Sequence, residues 1–267
     1  MKIEKKDFKK EEQWLLKEKY FGKPNKQFYK DVKRLEKGEP VDFVIGWKEF
    51  LGCEIDLSKK TLIPRPETEF WVLRVIDEIK KYKIKKIKCL DIFAGSGCIG
   101  VAVLANVPGL LPASTRGARR REAGATVDFA DNDKRCLAQI KINLKNNSIK
   151  RGRYNVIKSD VFAKIKDRYD FILANPPYIP TTRKSKIQKS VLKYEPRQAL
   201  FGGKDGMQYI KKFLSRAKNH LNTNGKIYME FDYIQKKGIE KLLKQYGYNS
   251  WQFFKDQYGK YRWVVVS

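Results

Sequence analysis

The chain has 267 residues, 42% of them hydrophobic and 13% aromatic, enough to bury a full core, and no apolar run approaches the roughly 20 residues of a membrane-spanning helix. Its 58 Lys and Arg against 30 Asp and Glu give +28, which would attract nucleic acid, the ribosome or another polyanion; the excess is mostly Lys and evenly spread, as a Lys-biased composition would also produce. One histidine, His220, and four scattered cysteines, Cys53, Cys89, Cys98 and Cys136, argue against a histidine-based metal site, a Ser-His triad or a disulfide framework.

The N-terminus, MKIEKKDFKKEEQ, lacks the apolar stretch of a signal peptide, so a cytosolic, monomeric protein is expected. Residues 9–21 and 26–37 read as two amphipathic helices divided by Gly22-Lys23-Pro24 and ended by Gly38-Glu39-Pro40. Residues 48–58 alternate with strand period around a glycine, as a hairpin would. Ile63-Pro64-Arg65-Pro66 is an extended turn, because proline restricts itself and the residue before it. Glu67-Thr68-Glu69 then opens a helix with acids at its positive end.

From residue 86 the pattern becomes strand–helix alternation. Strands are expected at 87–93, 127–131, 154–160, 170–174 and 226–231, with helices at 97–105, 134–147, 207–221 and 239–246. Residues 249–254 and 260–266 are two further strands joined by the short DQYGK turn, so they should pair antiparallel. Repeated strand–helix units predict an α/β fold with a parallel sheet covered on both faces. The domain reading is a short helical region over 1–38 followed by one domain over 39–267, with the hairpin and linking helix at 39–85 and the core at 86–267. Residues 107–127 stand apart. They contain no Lys, carry Arg116 and Arg119–Arg121, and fall where about 2–6 residues normally connect helix to strand. A solvent-exposed excursion, with a short helix around Ala118–Ala123, is expected there.

Three features carry chemistry. Phe93-Ala94-Gly95-Ser96-Gly97 is a glycine turn from a strand into a helix, where free N–H groups favour an anion such as a carboxylate or phosphate. Asp131 ends the next strand, where a carboxylate can accept from both hydroxyls of a ribose. It lies 34 residues beyond Gly97, against roughly 20 for such an acid, and the Arg-rich stretch supplies the excess. Asn175-Pro176-Pro177-Tyr178 follows the apolar strand DFILA at the carboxyl edge of the sheet. Proline fixes φ and removes donors, so the Asn175 side-chain carbonyl and the Pro176 backbone carbonyl form paired acceptors for an –NH2 group, with Tyr178 stacking on its plane.

The order of these motifs resembles the HemK/PrmC family of peptide chain release factor glutamine methyltransferases. The resemblance extends to Ile63-Pro64-Arg65-Pro66-Glu67-Thr68-Glu69 and to Tyr194-Glu195-Pro196…Ala199-Leu200…Gly202-Gly203…Asp205-Gly206, and runs from about residue 39 to the C-terminus. It implies a Rossmann-like class I methyltransferase with a seven-stranded, mostly parallel sheet and a C-terminal antiparallel hairpin. It also implies S-adenosylmethionine as cofactor and a glutamine in the Gly-Gly-Gln loop of a class 1 release factor as target. By position, Phe93, Ala94, Gly95, Ser96 and Gly97 line the methionine part, Asp131 holds the ribose, Asp160 and Val161 flank the adenine, and Asn175, Pro176, Pro177 and Tyr178 hold the glutamine. The chain departs from the family at Phe93, usually Gly, and at Val161, commonly an aromatic; its N-terminal helical region is cut to about 38 residues. DNA and RNA adenine-amino methyltransferases share only the glycine loop and Asn-Pro-Pro-Tyr, and remain the alternative.

Overall fold

The computed structural model describes residues 5–82, 86–107 and 124–267, with side chains from residue 10. Helices α1 (Lys5–Tyr20) and α2 (Lys26–Glu36) form where the amphipathic spacing predicts them. A third, α3 (Val41–Ile45), follows Pro40; its five residues are too few to display a helical period in the sequence. Leu15, Phe28, Leu35, Val41, Val44 and Ile45 share a cluster of their own. Beside it Asp31, fully buried, accepts from Lys19, Tyr20 and Arg34. Arg34 also forks onto Glu39, which Lys60 reaches from the other side; the Arg34 hydrogen bonds hold the Glu39 carboxyl down at about 2.

Strands β1 (Trp47–Phe50) and β2 (Cys53–Asp56) make the expected hairpin, and α4 (Pro66–Lys81) starts with Pro66 in its first turn. The core then runs β3 (Lys86–Ile92), α5 (Cys98–Asn106), β4 (Gly124–Asp131), α6 (Lys134–Asn146), β5 (Tyr154–Lys158) and β6 (Tyr169–Ala174). Two short helices, α7 (Lys189–Tyr194) and α8 (Arg197–Leu200), precede α9 (Gln208–Ala217), β7 (Leu221–Glu230), α10 (Lys236–Gln245), β8 (Trp251–Lys255) and β9 (Tyr261–Val266). The seven-stranded sheet has the order β5-β4-β3-β6-β7-β9-β8. It is parallel from β5 to β7 and ends in the antiparallel β9 and β8, as the sequence predicts. No helix among the described residues is long and apolar enough to cross a membrane.

Strand alternation builds two cores. In β6, Phe171 and Leu173 face α4, α5 and the β1–β2 hairpin, while Ile172 and Ala174 face α9 and α10. The hairpin is fixed to α6 by side-chain amides, with the Asp56 N–H donating to Asn143 and the Lys59 N–H to Gln139. All four cysteines are buried free thiols, as their apolar neighbours suggest, and no metal-binding group of His, Cys, Asp and Glu occurs among the described residues.

Most of the unusual Arg-rich stretch, residues 108–123 with the expected helix at 118–123, lies outside the described residues. Its far end is shorter than the sequence suggested, because β4 begins at Gly124 and pairs with β3 from Lys86 onward. The two ends of this connection are joined by one side chain. Arg153 donates to the Leu104 and Val107 carbonyls at the end of α5, at 2.9 and 2.7 Å, and to the Ala125 carbonyl of β4 at 3.2 Å. A cation on the last carbonyls of a helix is favoured by the helix dipole as well as by the bonds themselves. Arg153→Met is therefore expected to lower the unfolding free energy by about 1–3 kcal/mol. Urea unfolding with an unchanged midpoint would show that the clamp contributes nothing.

Candidate active site

Strand β3 lies between β4 and β6, and the chain leaves it for β4 on one side before returning to β6 on the other. Where strand order reverses in this way, the helix connections diverge and a crevice opens at the carboxyl ends of the strands. Ile92 and Ala174 are partners across β3 and β6, so Phe93 and Asn175 leave the sheet side by side. A cavity of about 630 Å3 opens there, lined among others by Phe93, Gly95, Asp131, Asp160, Val161, Asn175 and Pro177. Ala94, Ser96, Gly97, Pro176 and Tyr178 are adjacent in the chain but do not line it.

Phe93 takes a φ of 61°, the left-handed conformation that glycine adopts most readily. Its ring turns toward Tyr209 and Phe213, with centroids 6.0 and 6.2 Å away, while still bordering the cavity. Gly97 has a different purpose from ligand approach. A Cβ there would stand 2.9 Å from Ile140 Cγ1, so its glycine lets α5 and α6 close on each other. The Asp131 carboxylate ties the turn to β4: Oδ2 accepts from the Gly95 N–H at 2.9 Å and Oδ1 from the Asp133 N–H at 2.8 Å. Burial pushes the Asp131 carboxyl above its ordinary range, against the pull of these two backbone bonds.

On the next loop Val161 is also left-handed, with a φ of 52°. That is an outlier for a β-branched residue and stores roughly 1–3 kcal/mol, the kind of strain that collects at binding sites. Ser159 holds it, donating its hydroxyl proton to the Val161 carbonyl and accepting the Lys164 N–H. Asp160 points to the surface and pairs with Lys212 at 2.5 Å, and both border the cavity.

Asn175 has one protein partner among the described residues: its Nδ2 donates to Thr68 Oγ1 at 3.2 Å. The Thr68 hydroxyl donates in turn to Glu230 Oε2 at 2.6 Å. Glu230, 1% exposed at the end of β7, also accepts from Trp71 Nε1 and from the Tyr178 hydroxyl. Burial raises its carboxyl pKa, opposed by these three donors and the nearby Arg262. The Asn175 side-chain carbonyl and the Pro176 backbone carbonyl accept no protein hydrogen bond among the described residues.

The two outlying sequence segments meet at this loop. Glu195, almost fully buried, accepts from the Ile63 N–H at 3.1 Å and from Arg65 Nη2 at 2.5 Å. Beyond it, the Ile179 N–H donates to the Leu200 carbonyl and the Gly202 N–H to the Ile179 carbonyl. Any side chain on Gly206 would collide with the Tyr178 carbonyl, which is instead capped by Gln235 Nε2. Gln198, from α8, reaches across to Asp133. Trp71, Glu230 and Gln235 belong to no motif of the sequence, and Thr68 belongs only to the 63–69 segment that opens a helix. Glu230 left one trace, an acid inside the apolar run Ile227–Phe231 at a strand end. Trp71 and Gln235 left none, because ordinary helix positions hold them.

The description "Methyltransferase small domain" matches residues 73–200. Two solved structures share the fold at low identity: a methyltransferase from Pyrococcus furiosus, with TM-score 0.54, 18% identity and coverage of 80% of this chain and 88% of that one, and a ribosomal protein L11 methylase from Lactobacillus delbrueckii subsp. bulgaricus, with TM-score 0.51, 15% identity and coverage of 78% and 80%. Sequence relatives are nearer. The release factor glutamine methyltransferase of Lactococcus lactis is 34% identical over 231 residues, covering 86% of this chain and 78% of the relative. That of Streptococcus pneumoniae is 32% identical over 243 residues, covering 90% and 80%. Identity above 30% over most of both chains assigns the chain to the release factor glutamine methyltransferase family.

Proposed function

We propose that this chain transfers a methyl group from S-adenosylmethionine to the side-chain amide nitrogen of the glutamine in the Gly-Gly-Gln motif of a class 1 peptide chain release factor. The observation that carries the reading is the acceptor pair. Among the described residues the Asn175 Oδ1 and the Pro176 carbonyl are free of protein partners, beside a cavity at the switch point of the sheet. Two acceptors match the two N–H bonds of a primary amide.

The cavity fits the methyl donor. Its volume of about 630 Å3 lies within the range of small-molecule sites. Each Asp131 oxygen holds one backbone N–H and keeps further acceptor capacity, which suits a ribose diol. Phe93 and Gly95 would line the methionine end, Asp131 would hold the ribose, and Asp160 and Val161 would flank the adenine. Bound there, S-adenosylmethionine supplies an electrophilic methyl group on a positively charged sulfur.

The chain's own residues do the positioning. An amide nitrogen is a poor nucleophile because its lone pair is delocalised, so orientation has to lower the barrier. Asn175 and Pro176 accept both amide protons and aim the nitrogen at the methyl group. Pro177 bounds the cavity, and the Tyr178 hydroxyl, held by Glu230, braces the loop behind it. No strong base is needed, because the methylated amide cation is very acidic. His220 takes no part. Its ring stacks on Phe162 at 4.6 Å, away from the cavity lining.

The net charge of +28 supports a further contact with a polyanion such as the ribosome, and we take the enzyme to be a cytosolic monomer. The same charge keeps an adenine-amino methyltransferase acting on nucleic acid as the second reading, since a planar amino group suits the same acceptors. Incubation with labelled methyl donor and either a release factor or nucleic acid separates the two, and label confined to nucleic acid would overturn the first.

Asp131→Ala is expected to weaken donor binding by about 1.5–3 kcal/mol, the scale of lost charge-assisted hydrogen bonds. Unchanged affinity by calorimetry, in a folded variant, would remove Asp131 from the site. Asn175→Ala should reduce single-turnover methylation of a Gly-Gly-Gln protein by about 100-fold or more, with donor affinity nearly intact. Turnover close to wild type would refute the acceptor pair.

A further inference from the structure

We propose that Thr68 and Glu230 are positioning residues that fix which end of the Asn175 amide faces the methyl acceptor, an inference that rests on the glutamine-methylating reading above. An asparagine amide is nearly symmetric in shape but opposite in polarity at its two ends. Turned by half a rotation, Asn175 would offer donors where the substrate –NH2 needs an acceptor, and the pocket would keep its shape while losing its function.

The polarity is set from the bottom of the network upward. The Trp71 indole N–H can only donate, and it meets Glu230 Oε2 at 2.8 Å. Glu230 Oε2 is therefore an acceptor. The Thr68 hydroxyl reaches the same oxygen at 2.6 Å, so its single proton points to Glu230. Only lone pairs are left on Thr68 Oγ1 to face Asn175. They accept an N–H and repel a carbonyl, so Nδ2 turns toward Thr68, at 3.2 Å, and Oδ1 turns away from it. Thr68 and Trp71 come from α4, Glu230 from the end of β7 and Asn175 from the loop after β6, and the first three are at most 2% exposed. Burial at this level keeps bulk solvent from the Thr68 and Glu230 oxygens.

This logic requires an acceptor at 230 but not a negative charge. In Glu230→Gln the amide oxygen must face Trp71, because an indole cannot accept. The new –NH2 then falls opposite the Tyr178 hydroxyl, which can accept as well as donate. Thr68 keeps its orientation, and so does Asn175. A Glu230 acting through its charge would instead lose its effect in the same variant. Thr68→Val removes the hydroxyl at nearly constant shape and should release the Asn175 amide, whereas Thr68→Ser should retain it.

The test uses the full chain with labelled methyl donor and a Gly-Gly-Gln release factor under single turnover. It adds calorimetric donor affinity and the side-chain 1H–15N signals of Asn175. Thr68→Val is expected to slow methyl transfer about 30- to 100-fold, the cost of a misdirected group in a positioned reaction, with donor affinity within about twofold. Its Asn175 –NH2 protons should lose the protection from solvent exchange seen in wild type. Thr68→Ser and Glu230→Gln should stay within about fivefold of the wild-type rate and keep that protection. Transfer by Thr68→Val near the wild-type rate, or a Glu230→Gln enzyme as impaired as Thr68→Val while binding donor normally, would overturn the inference. So would an Asn175 amide that exchanges freely in wild type, a measurement that stands even if Thr68→Val fails to fold. A wild-type enzyme that methylates no Gly-Gly-Gln protein would sink the functional reading instead, and the exchange measurement would still decide whether Thr68 fixes the amide.

Discussion

Two consecutive prolines at positions 176 and 177 take two N–H donors out of the loop that leaves β6, so that loop cannot fix itself by its own backbone. Everything around it answers this shortage. The Ile179 N–H and carbonyl are paired with the 200–202 segment, the Tyr178 carbonyl is capped by Gln235, and the Tyr178 hydroxyl is held by Glu230. The loop is thus rigid because three distant stretches of chain converge on it. The Pro176 carbonyl and the Asn175 side-chain oxygen stay free because those stretches satisfy the other groups.

The cavity wall carries the opposite kind of constraint. Phe93 and Val161 both sit at positive φ, although neither is a glycine. Each is held by packing: the Phe93 ring against Tyr209 and Phe213, and Val161 within the apolar cluster on the α9 and α10 face. Burial of one such side chain contributes about 1.5–3 kcal/mol, comparable to the strain it offsets.

Away from the site, the N-terminal helices form their own small cluster and are tied to the rest of the chain by charge. Arg34, Glu39 and Lys60 link α2 to the loop after the hairpin, and Tyr194 donates to the Lys37 carbonyl. Because Tyr194 adjoins Glu195, which accepts from Ile63 and Arg65, this small region is connected to the same segment that braces the Asn175 loop.

The order of residues is enough to specify the sheet and the edge of it that matters. Strand–helix alternation, the glycine turn, Asp131 and Asn-Pro-Pro-Tyr are local patterns, and local patterns survive in one dimension because backbone geometry is dictated by neighbouring residues. It also marks 176 and 177 as backbone positions that offer carbonyl acceptors and no N–H donors, since proline chemistry needs no tertiary context. What holds Asn175 in place comes from packing between distant segments. Thr68 and Glu230 are separated from Asn175 by 107 and by 55 positions, and their bonds exist only once α4 and β7 are packed on either side of it. The sequence also could not distinguish Gly97, which clears Ile140, from Gly95, which borders the cavity. Nor could it show that α3, α7 and α8 are helical. At four to six residues these are too short to carry a period, and their shape is imposed by what they pack against.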